Sequence, residues 1–190
     1  MNILLGITGS VATYKACELV RQFQENGCQV KVIMTDSAQE FVGKVTFESI
    51  LNEKIYTNMF DADVSGNIHI DLARWADVFV VAPATANIIS KFAHGLADDF
   101  LSTTYLAYQG MTFIAPAMNT VMWEDPSTQS NIQILKNKKN IFIDPQDGEL
   151  ACKEIGMGKM AEPDVICKFV LSTYRNHSKL QNKHIVITVG

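Results

Sequence analysis

Short apolar runs alternate with helix-length amphipathic segments from the second residue onward, and this alternation constrains the fold more than any other property of the chain. A strand buried on both faces reads as a continuous apolar run, and two such strands joined by a helical crossover lie parallel. Ile3-Leu4-Leu5-Gly6-Ile7 is the first run. From Ala12 to Asn26, Ala16, Leu19, Val20 and Phe23 recur at the spacing of one helix face, and Gly27 ends the segment. Val30 to Met34 reads as the second strand, with a short helix from near Ser37. Asp77 to Ala82, closed by Pro83, is the third. Helices over Ala86–Ala93 and Asp98–Ala107 follow, separated by Gly95, and Phe113-Ile114-Ala115 is the fourth strand. Asp125-Pro126, a capping residue before a proline at the first helical position, opens a helix to about Lys138. Ile141 to Ile143 is the fifth strand. Glu162-Pro163 repeats the helix-start device, and Val165, Ile166, Phe169, Val170 and Thr173 share one face of the last helix. The pattern predicts a parallel sheet covered by helices on both faces.

Two stretches break the rhythm. Asp144 to Met160 is too long for a simple connection, rich in glycine, and carries Cys152; such loops are commonly lids or binding loops. The tail, His184 to Gly190, repeats the apolar-then-glycine pattern of the opening strand. It reads as the start of a second domain, so the chain divides into residues 1–176 and a linker with a first strand over 177–190.

Charged residues make up 19% of the chain, below the usual ~25%, which is compatible with surface hidden in an oligomer. The net charge is −4, and Lys136, Lys138 and Lys139 form the main basic cluster. This argues against nucleic-acid binding, which needs a concentrated positive face. No apolar run approaches the ~18 residues of a membrane helix, and the opening run is too short for a signal peptide. Four cysteines without CxxC spacing fit a reducing, cytoplasmic setting. Of these, Cys17, Cys28 and Cys167 fall in or beside helices and read as small core residues.

Chemistry gathers where strands end. Gly6-Ile7-Thr8-Gly9-Ser10-Val11-Ala12 joins a strand to a helix with small residues that let backbone N–H groups approach a phosphate. Thr8 and Ser10 add hydroxyls. Lys15 does not complete a Walker loop, and the spacing is not GxGxxG. Asp36 stands where dinucleotide folds place a ribose-binding acid, but it equally suits a helix cap; spacing leaves both open. His69 suits general acid/base work, though a histidine hydrogen-bonded at a helix start is the commoner case. In Pro116-Ala117-Met118-Asn119-Thr120-Val121-Met122-Trp123 an amide sits just after a strand, closed in by two thioethers and an indole. The alternative is a Pro-Ala turn before a buried Met/Trp helix turn. Cys152, beside Lys153, could transfer a proton or be inert.

Taken in order, GITGSVA-x-YK, HIDLARWAD, APATANIISKFAHGLADD, PAMNTVMW and LACKEIGMGKMAEP resemble the flavin-dependent cysteine decarboxylases. Among them the chain is most similar to the phosphopantothenoylcysteine decarboxylase half of bacterial bifunctional coenzyme A enzymes, from about Asn2 to Tyr174. The resemblance implies a Rossmann-like, flavodoxin-like three-layer α/β/α fold that binds FMN. Gly9, Ser10, Val11, Ser37, Phe41, Thr85, Ala86, Asn87 and Ala117 match cofactor positions. His69, Asn119 and Cys152 match the catalytic histidine, the substrate-holding amide and the thiol of the substrate clamp; Met118, Leu150 and Ala151 complete the substrate side.

The implied reaction converts 4′-phosphopantothenoylcysteine to 4′-phosphopantetheine. Oxidation of the substrate's CH₂–SH to a thioaldehyde creates the electron sink that the α-carboxylate lacks, CO₂ leaves, and the enethiolate is reduced again. Same-fold alternatives are peptidyl-cysteine decarboxylation and flavin prenyl transfer; a nicotinamide oxidoreductase using Asp36 or a non-catalytic flavin-binding subunit is the reading outside that chemistry. The resemblance also implies trimers, assembled further into dodecamers, and a fused phosphopantothenate–cysteine ligase domain. Three residues depart from the usual pattern: Lys153 follows the cysteine where glycine is common, Lys159 replaces an arginine, and Asp99 an asparagine.

Overall fold

A computed structural model describes residues 1–61, 66–151 and 153–180, the side chains of the last three excepted. Five parallel strands form the central sheet in the order β2-β1-β3-β4-β5: β1 Asn2–Ile7, β2 Gln29–Met34, β3 Val78–Ala84, β4 Met111–Pro116 and β5 Ile141–Phe142. This is the flavodoxin-like order, and the winding direction reverses between β1 and β3.

Period-two alternation along the strands divides the core. Ile3, Leu5 and Ile7 with Val78 and Val80 point to one face, where they meet α1 (Thr13–Glu25), α3 (Lys44–Leu51) and α9 (Pro163–Leu180). Leu4, Phe79, Val81 and Ile114 point to the other. They meet α4 (Ile68–Trp75), α5 (Ala86–His94), α6 (Phe100–Ala107) and α8 (Pro126–Asn137). Strands apolar on both faces therefore require this double helical cover. Ala16, Leu19, Val20 and Phe23 are all buried on α1, as their spacing predicts. No helix among the described residues is long and apolar enough to cross a membrane.

Several expectations are corrected. β3 does not stop before Pro83; it continues to Ala84 through a cis Ala82–Pro83 bond. The buried face of α9 is Ile166, Cys167, Val170 and Leu171, while Val165 and Phe169 remain about 40% exposed. A helix over residues 44–51 goes unanticipated in the sequence reading. The long segment after β5 is not irregular: β6 (Gln146–Glu149) and β7 (Ile155–Lys159) form an antiparallel hairpin. Cys28 and Cys167 are buried and Cys17 half-buried; burial pushes all three thiols up, Cys167 to about 11, so they are inert apolar residues at neutral pH. The proposed second-domain strand lies outside the described residues.

Candidate active site

Loops leaving the C-terminal ends of β1, β3 and β4 meet at the switch point, where open α/β sheets place their ligands. Gly9-Ser10-Val11-Ala12 runs from β1 into α1. A Cβ on Gly9 would collide with Ser37, so glycine lets this loop pack against α2 (Asp36–Gln39). The Thr8 hydroxyl donates to the Pro83 carbonyl at 2.7 Å and accepts from the Thr85 N–H at 3.1 Å. It is therefore committed to tying the two loops together and is not a donor for a ligand, as the sequence reading had it. Thr85 caps α5 by accepting from the Ile88 N–H.

Two adjoining clefts open there, sharing Gly9, Thr85, Ala86 and Met122 as walls. One, of about 470 Å³, is also lined by Ser37, Asn87, Lys91, Asp98 and Asp99. The other, of about 690 Å³, adds Ser10, Val11, Lys15, Ala117, Met118, Asn119, Leu150, Ala151 and Lys159. A larger cavity of about 970 Å³ lies by Asp77, Met111 and Ile141, at the N-terminal ends of the strands. Position, not size, selects between them.

Asn119 caps α7 (Thr120–Glu124): its Oδ1 accepts from the Met122 N–H at 2.9 Å. The cap occupies the acceptor end of the amide, so the Nδ2 end is the one suited to hold an anionic or carbonyl oxygen. The expected burial of the following turn is not found. No residue of α7 is buried, and Val121 and Met122 are 71% and 48% exposed.

The hairpin closes the second cleft from the side. Gly158 stands at φ 141°, and its carbonyl accepts from the Met118 N–H at 3.0 Å. At the hairpin turn Lys153 adopts φ 65°, the left-handed region that glycine enters freely, and its N–H donates to the Leu150 carbonyl at 2.8 Å. Cys152 itself lies outside the described residues; its neighbours Leu150 and Ala151 line the cleft.

Two site residues stand apart. His69 is on α4, is not among the residues lining either cleft, and carries a buried Nδ1 without a partner among the described residues. The hydrogen-bonded histidine weighed from sequence is thus not found at that atom. Phe41 is 53% exposed and likewise lines neither cleft. Asp36 is the first residue of α2, after the N-cap Thr35, and accepts a long bond from Gln39 at 3.5 Å.

Sequence reasoning named Lys15 and Lys159 but missed the ion pairs at the site. Lys91 reaches Asp98 and Asp99 at 2.6 and 2.7 Å. Burial opposes the Asp99 charge, but Lys91 and the Ser102 donors outweigh it and hold the carboxyl below its usual range. Lys15 and Lys159 both reach Glu162, at 2.8 and 3.3 Å. The bond from Lys15 is the main cause of the lowered Glu162 pKa. No spacing rule joins Lys15 to Glu162, 147 residues away.

The donor set tests what ligand would fit. Hydroxyl and amide groups of Ser37 and Asn87, with the positive ends of α1 and α5, suit a phosphate and polyol tail. Ala86, Ala117, Met118 and Met122 give a small-residue and thioether wall suited to a flat aromatic ring. A flavin mononucleotide meets both requirements.

Fold and cleft together define a parallel α/β nucleotide-binding protein of the flavodoxin-like type. The flavoprotein family model matches residues 1–175, and the chain belongs to that family. It is similar to the coenzyme A biosynthesis bifunctional protein CoaBC of Bacillus subtilis, 44% identical over all of this chain and 47% of that protein. The Borreliella burgdorferi protein of the same name is 41% identical, over all of this chain and 48% of its own length. The chain thus spans about half the length of these curated relatives. Among solved structures it resembles a cysteine-to-serine mutant of a PPC decarboxylase complexed with pantothenoylaminoethenethiol. That likeness has TM-score 0.82 and 33% identity and covers 92% of this chain and 98% of that one. The FMN-binding protein AtHal3 matches with TM-score 0.80 and 33% identity, over 92% of this chain and 97% of its own.

Proposed function

We propose that this chain is an FMN-dependent phosphopantothenoylcysteine decarboxylase that converts 4′-phosphopantothenoylcysteine to 4′-phosphopantetheine and CO₂ in coenzyme A biosynthesis. One observation carries the reading. The Asn119 loop and the hairpin residues Leu150 and Ala151 border the same cleft as Gly9, Ser10, Val11, Thr85 and Ala86, so a substrate pocket adjoins a flavin pocket. The relatives named for coenzyme A biosynthesis and PPC decarboxylase support the choice of substrate.

Bound flavin supplies reversible two-electron acceptance from the substrate's sulfur-bearing carbon. The chain's residues do the rest. Asn119 Nδ2 holds the substrate's carboxylate or amide oxygen. His69, whose buried Nδ1 has no partner among the described residues, exchanges the proton that the thiol releases on oxidation. Cys152 donates a proton as the enethiolate is reduced. The β6–β7 hairpin screens the pocket from water along one side.

The same reading includes a homo-oligomer, a trimer or a dodecamer built from trimers. Val11 and Tyr14, beside the cleft, are 53% and 61% exposed, and His69 and Phe41 lie outside the cleft lining of their own chain. An interface between copies that covers the first pair and brings in the second accounts for both. A fused ligase domain, in keeping with the bifunctional relatives, and a cytoplasmic setting complete the proposal.

The test is direct. Flavin-loaded protein incubated with 4′-phosphopantothenoylcysteine yields a product lighter by CO₂, and flavin-stripped protein does not. Equal CO₂ release by the stripped protein would refute the reading.

A further inference from the structure

We infer that Lys15 and Lys159 form the seat for the phosphate of the substrate, a phosphomonoester dianion; this rests on the decarboxylase reading above and names the residues that make it selective. Lys15, on the first turn of α1, and Lys159, at the end of β7, both line the cleft that Asn119 borders. Glu162 holds them side by side: Lys15 Nζ reaches its two carboxylate oxygens at 2.9 and 2.8 Å, and Lys159 Nζ reaches Oε1 at 3.3 Å.

The charge arithmetic matters. Within this cluster two ammonium groups face one carboxylate, a local net charge of +1; the further carboxylate on the cleft lining, Glu149, is not paired with either lysine in the cluster. The Lys15 side chain is only 11% exposed, so solvent screens its charge poorly. A purely structural brace between α1 and the start of α9 needs one lysine. The second cation, on the hairpin strand, is surplus to that task and is suited to an anionic ligand. Asn119 and the phosphate seat border one cleft, so a single substrate can engage both. A peptide ending in cysteine has no phosphomonoester to place there, so the pair selects the phosphorylated small molecule. Lysine, a compact point charge with three rotatable donors, suits a tetrahedral phosphate.

The experiment uses flavin-loaded protein and two substrates, 4′-phosphopantothenoylcysteine and its dephosphorylated form, with the variants Lys15→Met, Lys159→Met and Lys159→Arg. Loss of one charge-assisted contact corresponds to a 10- to 100-fold rise in KM, about 1.4–2.8 kcal/mol. That rise is expected for the phosphorylated substrate in either methionine variant, with KM for the dephosphorylated one unchanged and Lys159→Arg keeping the preference. Lys159 lies on the hairpin strand and is more exposed than Lys15, so its variant keeps the test open should Lys15→Met fail to fold. Calorimetry with 4′-phosphopantetheine and pantetheine reads the same preference without turnover. An undiminished preference in both methionine variants overturns the proposal. Loss of bound flavin with the preference intact overturns it too, because the seat then serves the cofactor's phosphate. A wild-type protein that binds the phosphorylated product selectively but releases no CO₂ refutes the decarboxylase reading and leaves the phosphate seat standing.

Discussion

Gly158 and Met118 are pressed backbone to backbone: the glycine carbonyl accepts from the methionine N–H at 3.0 Å, and a Cβ on Gly158 would collide with the Met118 carbonyl oxygen. The hairpin and the Asn119 loop are therefore registered to each other by main chain, not by side chains. Gly158→Ala must push them apart, and at φ 141° it adds backbone strain. The expected loss of stability is about 1–3 kcal/mol. Denaturant midpoints measure that loss; turnover should fall further than flavin content, because the substrate pocket is displaced.

The Asn119 amide caps α7 with Oδ1 and leaves Nδ2 as the end proposed to hold substrate. Aspartate keeps an oxygen to cap α7 but removes the Nδ2 donor and sets a negative charge before the substrate's own carboxylate. Asn119→Asp should thus retain flavin absorbance and fold while raising KM steeply. Asn119→Ala loses the cap as well, costing about 1 kcal/mol. Unchanged KM in the aspartate variant would remove Asn119 from substrate binding.

If His69 serves a cleft in a neighbouring copy, two impaired variants can repair each other. His69→Asn and Asn119→Asp proteins, assayed at a substrate concentration where each is nearly inactive, are unfolded together, refolded and reloaded with flavin. Mixed assemblies contain some sites with both native residues, and activity above that of either parent is expected. Light scattering on the same samples should report a trimer or a multiple of it. A fully active monomer contradicts the shared site.

Cys152→Ser should still release CO₂ but accumulate the unreduced enethiol product. Mass spectrometry separates that species from 4′-phosphopantetheine by two hydrogens. Normal product from the serine variant would exclude the thiol as proton donor.

Asp99 gives the chain an acid-sensitive element. Its carboxyl titrates below the ordinary value of 3.8 because Lys91 and Ser102 favour the charged form over the opposing effect of burial. The stabilisation is fully present above the unfolded pKa and is lost as pH falls through the folded one. Thermal stability should therefore drop below about pH 4, and Asp99→Asn, which still offers a capping oxygen, should flatten that drop. At neutral pH the same change should cost about 1 kcal/mol. Identical acid profiles would show that the pair with Lys91 contributes nothing.

The layers were legible because burial on both faces leaves an unbroken apolar run, and the α1 face because Ala16, Leu19, Val20 and Phe23 recur at helical spacing. Pro83 misled because proline lacks only the N–H, and β3 carries it near its end in a cis bond. Val165 and Phe169 misled because a helix with apolar residues at most of its positions does not declare which face turns inward. The hairpin was hidden by composition: Gln146 to Glu149 is polar, and glycines interrupt β7. At the site, the strand-end loops were legible, since residue type and chain position both point there. The Lys15–Glu162–Lys159 cluster was not, because Lys15 meets the other two only through the fold. Lys153 shows the converse: its left-handed backbone is one that glycine, the residue the resemblance leads one to expect there, enters freely.

The Thr8 hydroxyl, donating to one side of the switch point and accepting from the other, fixes the spacing of the α1 and α5 termini before any ligand arrives. A nucleotide entering between them meets a rigid mould, so association forfeits little chain entropy. That places the freedom needed for admission and release in an element farther from this tie, the hairpin arm.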